Sequence, residues 1–102
     1  MNIAPDILAT VYFYSSDEGG RQTPTPSDKL NCILDLEGEY FDCRLLLDET
    51  GSLLPGQEAL VPIKFLYPDL VKPKLKLGDK FHLRESKTIA EGVVDKLLWD
   101  VY

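Results

Sequence analysis

Residues 30–47 read Leu-Asn-Cys-Ile-Leu-Asp-Leu-Glu-Gly-Glu-Tyr-Phe-Asp-Cys-Arg-Leu-Leu-Leu, two apolar-rich runs separated by Glu-Gly-Glu. Two short runs of this kind around a glycine predict a β-hairpin, with strands over residues 30–36 and 40–47. Cys32 and Cys43 lie at equal distances from the turn, so we expect them to face each other across the hairpin. In a reducing compartment we interpret them as buried thiols rather than a disulfide.

Further strand-like runs lie on both sides of this hairpin. Residues 7–14 are rich in β-branched and aromatic side chains, and residues 58–67 predict a strand in which Val61, Ile63 and Phe65 share one face. Residues 81–84 alternate, so His82 and Arg84 are expected to point outward. His82 is therefore interpreted as a half-exposed strand residue rather than a ligand or base.

The rest of the chain completes an all-β pattern. Residues 88–99 predict a strand pair or one long bent strand, with a bulge or bend at Gly92. Residues 68–78, which are broken by prolines, predict a loop or a ragged edge strand. No segment has a sustained helical period with caps. Six or seven antiparallel strands favour a barrel or a sandwich, and closure into a β-barrel is the simplest way to remove exposed edges.

Length and composition limit the possible classes of protein. The 102 residues, 44% of them hydrophobic, are enough for one domain with one core and too few for two. No apolar run approaches the roughly 20 residues that cross a bilayer, so we expect no membrane association. The amino terminus has no signal-peptide pattern, and the expected location is the cytoplasm.

The charge pattern and the few reactive residues limit the kinds of ligand and activity that we expect. A net charge of −6 repels nucleic acid as a whole, although Lys72, Lys74, Lys76 and Lys80 predict either a local basic patch or a lysine-protected strand edge. Two cysteines and one histidine cannot complete a closed zinc site. No nucleophile–base pair emerges either, so we expect a non-enzymatic protein without a metal, a cofactor or a small-molecule substrate.

Residues 17–24, Asp-Glu-Gly-Gly-Arg-Gln-Thr-Pro, form the most distinctive polar stretch. Two adjacent glycines permit a sharp turn that would hold the residues after it in a defined place. The stretch predicts a presented loop, and the alternative is an ordinary solvated connection between strands.

Three motifs in order resemble the carboxy-terminal β-barrel (domain III) of elongation factor Tu. They are residues 17–24, the Leu-Pro-Gly turn at 54–56, and the closing segments Arg84-Glu85, Lys87-Thr88-Ile89 and Glu91-Gly92-Val93-Val94. The family has an acidic-Glu-Gly-Gly-Arg-His-Thr-Pro loop, a Met-Pro-Gly-Asp turn and an Arg-Glu-Gly-Gly-Arg-Thr-Val-Gly-Ala-Gly-Val-Val close. The resemblance covers nearly the whole chain and implies a free-standing barrel of this type.

The resemblance implies binding rather than catalysis. The family's nucleotide domain and its phosphate-binding loop are absent here, so this chain is not expected to bind GTP. The family's barrel binds the T-stem backbone of aminoacyl-tRNA and protein surfaces, which implies tRNA or a protein of the translation machinery as the partner. The positions implied to bind it lie in loops at one barrel end: Arg21, Gln22, Thr23, Arg84, Glu85 and Lys87.

Departures from the family keep other interpretations open. Gln22 stands where the family has His, and Ser86-Lys87 replaces Gly-Gly-Arg, so several tRNA-facing groups are missing. One alternative is a protein-interaction or immunity-type module that mimics or docks on elongation factor Tu, or neutralises an effector that targets it. Another is that Glu18 with Arg84, or Arg21 with Glu85, forms ion pairs that merely close the barrel end.

Overall fold

Alternating apolar residues form six strands in the computed structural model, which describes residues 4–99. The strands are β1 Ile7–Phe13, β2 Lys29–Leu36, β3 Glu39–Leu46, β4 Glu58–Phe65, β5 Lys80–Arg84 and β6 Thr88–Leu97. All pair antiparallel in the order β1-β4-β3-β2-β5-β6, and β6 returns to β1 to close a barrel. The predicted all-β, six-stranded barrel is confirmed.

The core fills the barrel because the strands bury alternate side chains, with one break in β6, where Ile89 and Ala90 are both buried. In β1 the buried positions are Ile7, Ala9, Val11 and Phe13, and the residues between them are half-buried. The same period of two runs through β4, where Val61, Ile63 and Phe65 are buried. Outward-facing residues are therefore free to vary in charge, and they determine what the barrel wall presents.

The β2–β3 hairpin has the predicted register. Its turn residues Glu37 and Gly38 have φ values of 51° and 88°, the positive angles that a type I′ hairpin turn requires. Cys32 pairs directly with Cys43, and their sulfurs lie 3.6 Å apart as free, buried thiols. The hydrogen bond with Cys32 and the burial raise the pKa of the Cys43 thiol well above its usual range, so this thiol stays protonated.

Strand β6 is one long strand, and its irregularities differ from the predicted one. Its register shifts at Asp95 against β1 and at Ile89 against β5, and Gly92 pairs regularly with both neighbours. The prediction of a bulge at Gly92 is therefore wrong. A Cβ at Gly92 would lie 2.5 Å from Cζ of Phe81, so the glycine makes room for this buried ring.

The proline-broken segment between β4 and β5 is a compact turn region and contains no strand. It includes a four-residue helix, α1 Pro68–Val71, with proline at its amino-terminal end. Val71 and Leu75 are buried against the core, which anchors the segment and excludes the predicted alternative of an edge strand. Among residues 4–99, no helix is long and apolar enough to cross a membrane.

Candidate binding surface

A 3₁₀ turn at Ser16–Glu18 begins the loop after β1 that contains Gly19 and Gly20. We refer to residues 17–24 as the glycine-pair loop. The Ser15 hydroxyl accepts the Glu18 N–H, and the Glu18 carboxylate accepts the Ser15 N–H at 2.9 Å, which forms a capping box. The Tyr12 hydroxyl also donates to this carboxylate. The bond from Tyr12 and, after it, the bond from the Ser15 N–H lower the pKa of Glu18 because they favour the ionised carboxylate. Donation to Glu18 raises the pKa of Tyr12 because it favours the protonated hydroxyl.

Each glycine of the pair is needed for a different physical reason. Gly19 has a φ of 91°, a conformation that residues with a Cβ rarely adopt. Gly20 has an ordinary φ but is packed against the backbone, so a Cβ there would lie 2.1 Å from the carbonyl oxygen of Tyr14. Gly20 is thus packed on the end of β1, while most of the loop, residues 17–19 and 22–24, is exposed to solvent.

The guanidinium group of Arg21 binds groups of the protein itself. It forms an ion pair with Glu85, and it donates to the carbonyl oxygens of Thr23 and Pro24 at 3.3 Å each. The Arg21 and Glu85 side chains are only 19% and 32% exposed. The sequence prediction that these two residues pair across the barrel end is confirmed, and the ion pair joins the loop after β1 to the loop after β5.

Arg84, by contrast, lies on the outer wall of the barrel. Its Nη1 donates to the hydroxyl of Tyr40 at 2.5 Å, and its Cζ lies 5.2 Å from the centroid of that ring. The alternative pairing of Glu18 with Arg84 is therefore wrong. Arg21 and Arg84, which the resemblance places in one site, have different hydrogen-bond partners.

The other three positions implied by the resemblance are exposed on the two joined loops. They are Gln22, Thr23 and Lys87. Their main chains help to hold the loops, since the Thr23 carbonyl accepts from Arg21 and the Lys87 carbonyl accepts from the Glu85 N–H at 3.0 Å. Within residues 4–99 their side chains make no hydrogen bond or ion pair, so all three are available to a partner.

An open groove of about 710 Å³ lies where β2, β3, β4 and the end of β5 are adjacent, and both outward and buried side chains line it. We refer to it as the groove. Arg84 and Glu85 are at its end on β5, which places it next to the joined loops. Its lining residues are Asn31, Cys32, Ile33, Asp42, Cys43, Arg44, Lys64, Phe65, Leu66, Arg84 and Glu85.

Two of the charged groups in the groove are neutralised within the protein. Lys64 donates to both oxygens of the Asp6 carboxylate at 3.2 Å, and Asp6 also accepts the Phe65 N–H at 2.8 Å. Glu85 is paired with Arg21. These bonds fasten β4 and the barrel end, and they remove one positive and one negative charge from the groove.

Two arginines of the groove have only neutral hydrogen-bond partners among residues 4–99. Arg44 donates from Nε to the side-chain oxygen of Asn31 at 3.0 Å, and Arg84 donates to Tyr40. Neither forms an ion pair with a carboxylate of the described chain. The groove therefore presents two guanidinium groups against the single carboxylate of Asp42.

An exposed apolar patch adjoins the groove at Leu66. Tyr40, Tyr67 and Leu70 line a small depression beside it, and Asp42 lines both the depression and the groove. The four apolar side chains are 55–62% exposed: Tyr40, Leu66, Tyr67 and Leu70. We refer to these four residues as the apolar patch. Clustered exposed tyrosine and leucine beside arginine is typical of a protein interface.

The wall formed by β6, β1 and β4 has the opposite electrostatic character. Glu91 and Glu58 lie on either side of Tyr12 in register, and all three side chains point outward. Asp95, further along β6, accepts a hydrogen bond from the Thr10 hydroxyl. Burial and the negative charge of Glu91 raise the pKa of the neighbouring Tyr14. Negative charge is thus concentrated away from the groove.

The predicted lysine patch is partly neutralised. Lys72 lies 3.9 Å from a carboxylate oxygen of Asp69, and Lys74 lies 3.3 Å from one of Glu39. All four of these side chains are at least 44% exposed, so each pair contributes little to stability. The segment therefore offers less free positive charge than its four lysines indicate in the sequence.

The described residues contain no arrangement typical of catalysis by a metal ion. His82 is exposed on β5 and lies between Asp35 of β2 and Glu91 of β6 in register. No group of three or more histidine, cysteine, aspartate or glutamate side chains among residues 4–99 is placed to hold a metal ion. The features that the geometry brings together are the groove and the apolar patch.

No family model matches the sequence of this chain. The groove and the apolar patch include residues that motif comparison did not identify, namely Tyr40, Arg44, Lys64, Leu66, Tyr67 and Leu70. One signal was available: Tyr40, Asp42 and Arg44 occupy the outward positions of a predicted strand, so they share one face. Their proximity to β4 and to Arg84 depends on strand order, which the local pattern does not contain.

Proposed function

We propose that this chain is a non-enzymatic binding module that docks on a protein of the translation machinery through the apolar patch and the groove. The observation that carries the proposal is the contiguity of these two surfaces around Tyr40 and Arg84. Exposed apolar side chains of this size gain free energy when a partner removes them from water. The resemblance to the elongation factor Tu barrel supports the choice of translation as the process.

A protein partner fits the surface better than tRNA does. Arg21, the arginine of the glycine-pair loop, is held by Glu85 and two carbonyl groups, so gripping a phosphate would require breaking these bonds. The patch beside Arg84 is made of tyrosine and leucine, which have no phosphate-binding group except the hydroxyls. A net charge of −6 further weakens the attraction for a polyanion.

RNA is the second candidate, and one observation favours it. Arg44 and Arg84 line one groove without carboxylate partners, and guanidinium groups bind phosphates in a bidentate manner. If RNA is the partner, bulk tRNA should bind in a filter assay, the affinity should fall steeply as salt is added, and Arg84→Glu should weaken it. Absence of binding to bulk tRNA at low salt would exclude this candidate.

The main proposal is tested by affinity capture from a ribonuclease-treated lysate, followed by titration of the purified captured protein. Three forms are compared: the wild type, the double variant Tyr40→Ala/Leu70→Ala in the patch, and Leu60→Ala. Leu60 is a matched control because it is 53% exposed on β4, next to Thr10 of β1 in register and outside the patch. All these side chains are exposed, so each substitution should change folding stability by about 0.5 kcal/mol.

We expect the wild type and Leu60→Ala to retain the same translation protein, and the double variant to bind it more than about tenfold more weakly. Equal binding by all three forms would contradict the proposed surface. Capture of the protein from an untreated lysate but not from the ribonuclease-treated one would indicate that RNA is the partner. If the captured protein has no part in translation, for example if it is an effector, the chain is still a binding module but the assignment to translation is wrong.

A further inference from the structure

We propose that the groove binds an acidic segment of the partner protein, with a carboxylate side chain held between Arg44 and Arg84. This inference rests on the proposed function and adds to it the chemistry of the bound segment. A carboxylate is the protein group whose planar geometry matches a guanidinium fork.

The charge inventory of the groove is the first argument. Lys64 and Glu85 are each paired within the protein, while Arg44 and Arg84 have only the neutral partners Asn31 and Tyr40. Both arginines are half-buried on a concave wall, where Coulomb interactions are less screened than on a flat surface. Against the single carboxylate of Asp42, these two guanidinium groups leave the groove with an excess of positive charge that is complementary to an anion, although the whole chain has a net charge of −6.

The neighbouring surfaces restrict the anion to one embedded in a protein segment. The groove meets the apolar patch at Leu66, so a bound chain would place an apolar side chain next to the carboxylate. The carboxylate of Asp42 lies between the two surfaces and makes no hydrogen bond within residues 4–99. It can accept an N–H group from the main chain of the segment, a donor that a phosphate group does not have.

The dimensions of the groove agree with this occupant. A volume of about 710 Å³ is within the range of roughly 300–1,000 Å³ that is usual for ligand sites, and is large enough for a few residues of an extended chain. The expected segment therefore has a small number of carboxylates, each adjacent to a leucine-like or aromatic residue. A second copy of this chain would bring a further charge of −6, which disfavours self-association.

The experiment titrates the ¹⁵N-labelled full chain with two matched peptides and follows the arginine Nε–H signals by NMR. The acidic probe is acetyl-Leu-Glu-Asp-Leu-amide, and its neutral counterpart is acetyl-Leu-Gln-Asn-Leu-amide. Inorganic phosphate and bulk tRNA are titrated separately. The variants are Arg44→Gln and Arg84→Gln, with Lys96→Gln as the control because Lys96 is exposed on β6 away from the groove.

We expect the acidic peptide to shift the Arg44 and Arg84 signals, and each glutamine variant to bind it about tenfold more weakly than Lys96→Gln does. The proposal is overturned by equal binding of the neutral peptide, by no binding of the acidic peptide, or by an equal loss in Lys96→Gln. Tighter binding of phosphate or tRNA at the same signals would overturn it too. Shifts that depend on protein concentration alone would assign the groove to a second copy. A backbone NMR spectrum that matches that of the wild type shows that a variant is correctly folded.

The outcomes separate this inference from the proposed function. If the peptide test fails while Tyr40→Ala/Leu70→Ala still abolishes capture of the translation protein, the binding role is retained and the acidic segment is rejected. If no translation protein is captured but the acidic peptide binds, the groove does recognise carboxylates, and the proposed translation partner is rejected.

Discussion

Arg21 and Arg84 occur in the two motifs that resemble one binding loop cluster, yet the barrel uses them in opposite ways. Arg21 is enclosed: its guanidinium group is bound by Glu85 and by two main-chain carbonyls. Arg84 is on the outer wall, where it lies over the ring of Tyr40 and lines the groove. Arg21 fastens the barrel end, and Arg84 is available to a ligand.

Arg21 thus makes structural contacts within the protein, whereas a binding role for Arg84 stays a prediction. The turn at the glycine pair places Arg21 where its side chain reaches Glu85 in the loop after β5. Arg84 ends a strand whose alternation directs its side chain outward. Substitutions should therefore affect folding on the Arg21 side and binding on the Arg84 side.

The largest effect on stability is expected from Gly20→Ala. A Cβ at this position would lie 2.1 Å from the Tyr14 carbonyl oxygen, a backbone atom that cannot rotate away. We expect the free energy of unfolding to fall by about 3 kcal/mol, measured by urea denaturation. The control is Gly19→Ala, where no atom lies within 4 Å and only the positive φ is strained, at a cost of about 1 kcal/mol. Equal costs would show that the packing at Gly20 is not the cause.

A smaller effect is expected from removing the Arg21–Glu85 ion pair. Arg21→Ala should reduce the free energy of unfolding by about 1 kcal/mol, and a double-mutant cycle with Glu85→Ala should give a coupling of similar size that shrinks in high salt. Arg84→Ala, which breaks no ion pair, should cost about 0.5 kcal/mol. A larger stability loss for Arg84→Ala than for Arg21→Ala would reverse the comparison.

The smallest effect concerns the Tyr12–Glu18 hydrogen bond at the base of the Arg21 loop. Tyr12→Phe should bring the pKa of Glu18 back up towards its ordinary value of 4.5, because the hydroxyl donor that lowers it is lost. Since the folded-state pKa is lowered, the bond stabilises the fold above the unfolded-state pKa. This stabilisation is lost as the pH falls through the folded-state pKa.

An NMR titration of the Glu18 carboxyl carbon measures this change. Tyr14→Phe is the control, since the Tyr14 hydroxyl does not donate to Glu18 and its removal should leave the pKa of Glu18 nearly unchanged. An unaltered Glu18 pKa in Tyr12→Phe would show that the turn backbone alone holds the carboxylate.

Much of the fold follows from local patterns, and its exceptions have clear physical causes. The hairpin and the Cys32–Cys43 register were predictable because the side-chain period of a strand is two and the turn fixes the pairing. The role of Gly92 was not, because the ring that needs the space belongs to Phe81 on another strand. The helix at Pro68–Val71 is too short to produce a helical period in the sequence.

For the candidate site, the sequence indicated the loops but missed the surface between them. The Arg21–Glu85 contact was one of two pairings that complementary charges allowed, and only the positions of the loops select it. Tyr40, Arg44 and Lys64 come from two strands that also carry many other outward residues. Nothing local distinguishes these three from the rest.

By itself, the sequence determined the strand alternation, the hairpin register and the glycine-dependent turn at residues 19 and 20. These features depend on residues that are close along the chain, so the geometry of the strand and the turn is sufficient. Only the tertiary structure decided that Arg21 is enclosed, that Arg84 lies over Tyr40, and that the groove adjoins the apolar patch. Barrel closure sets these contacts, because it fixes which distant strands become neighbours and which outward side chains then share a wall.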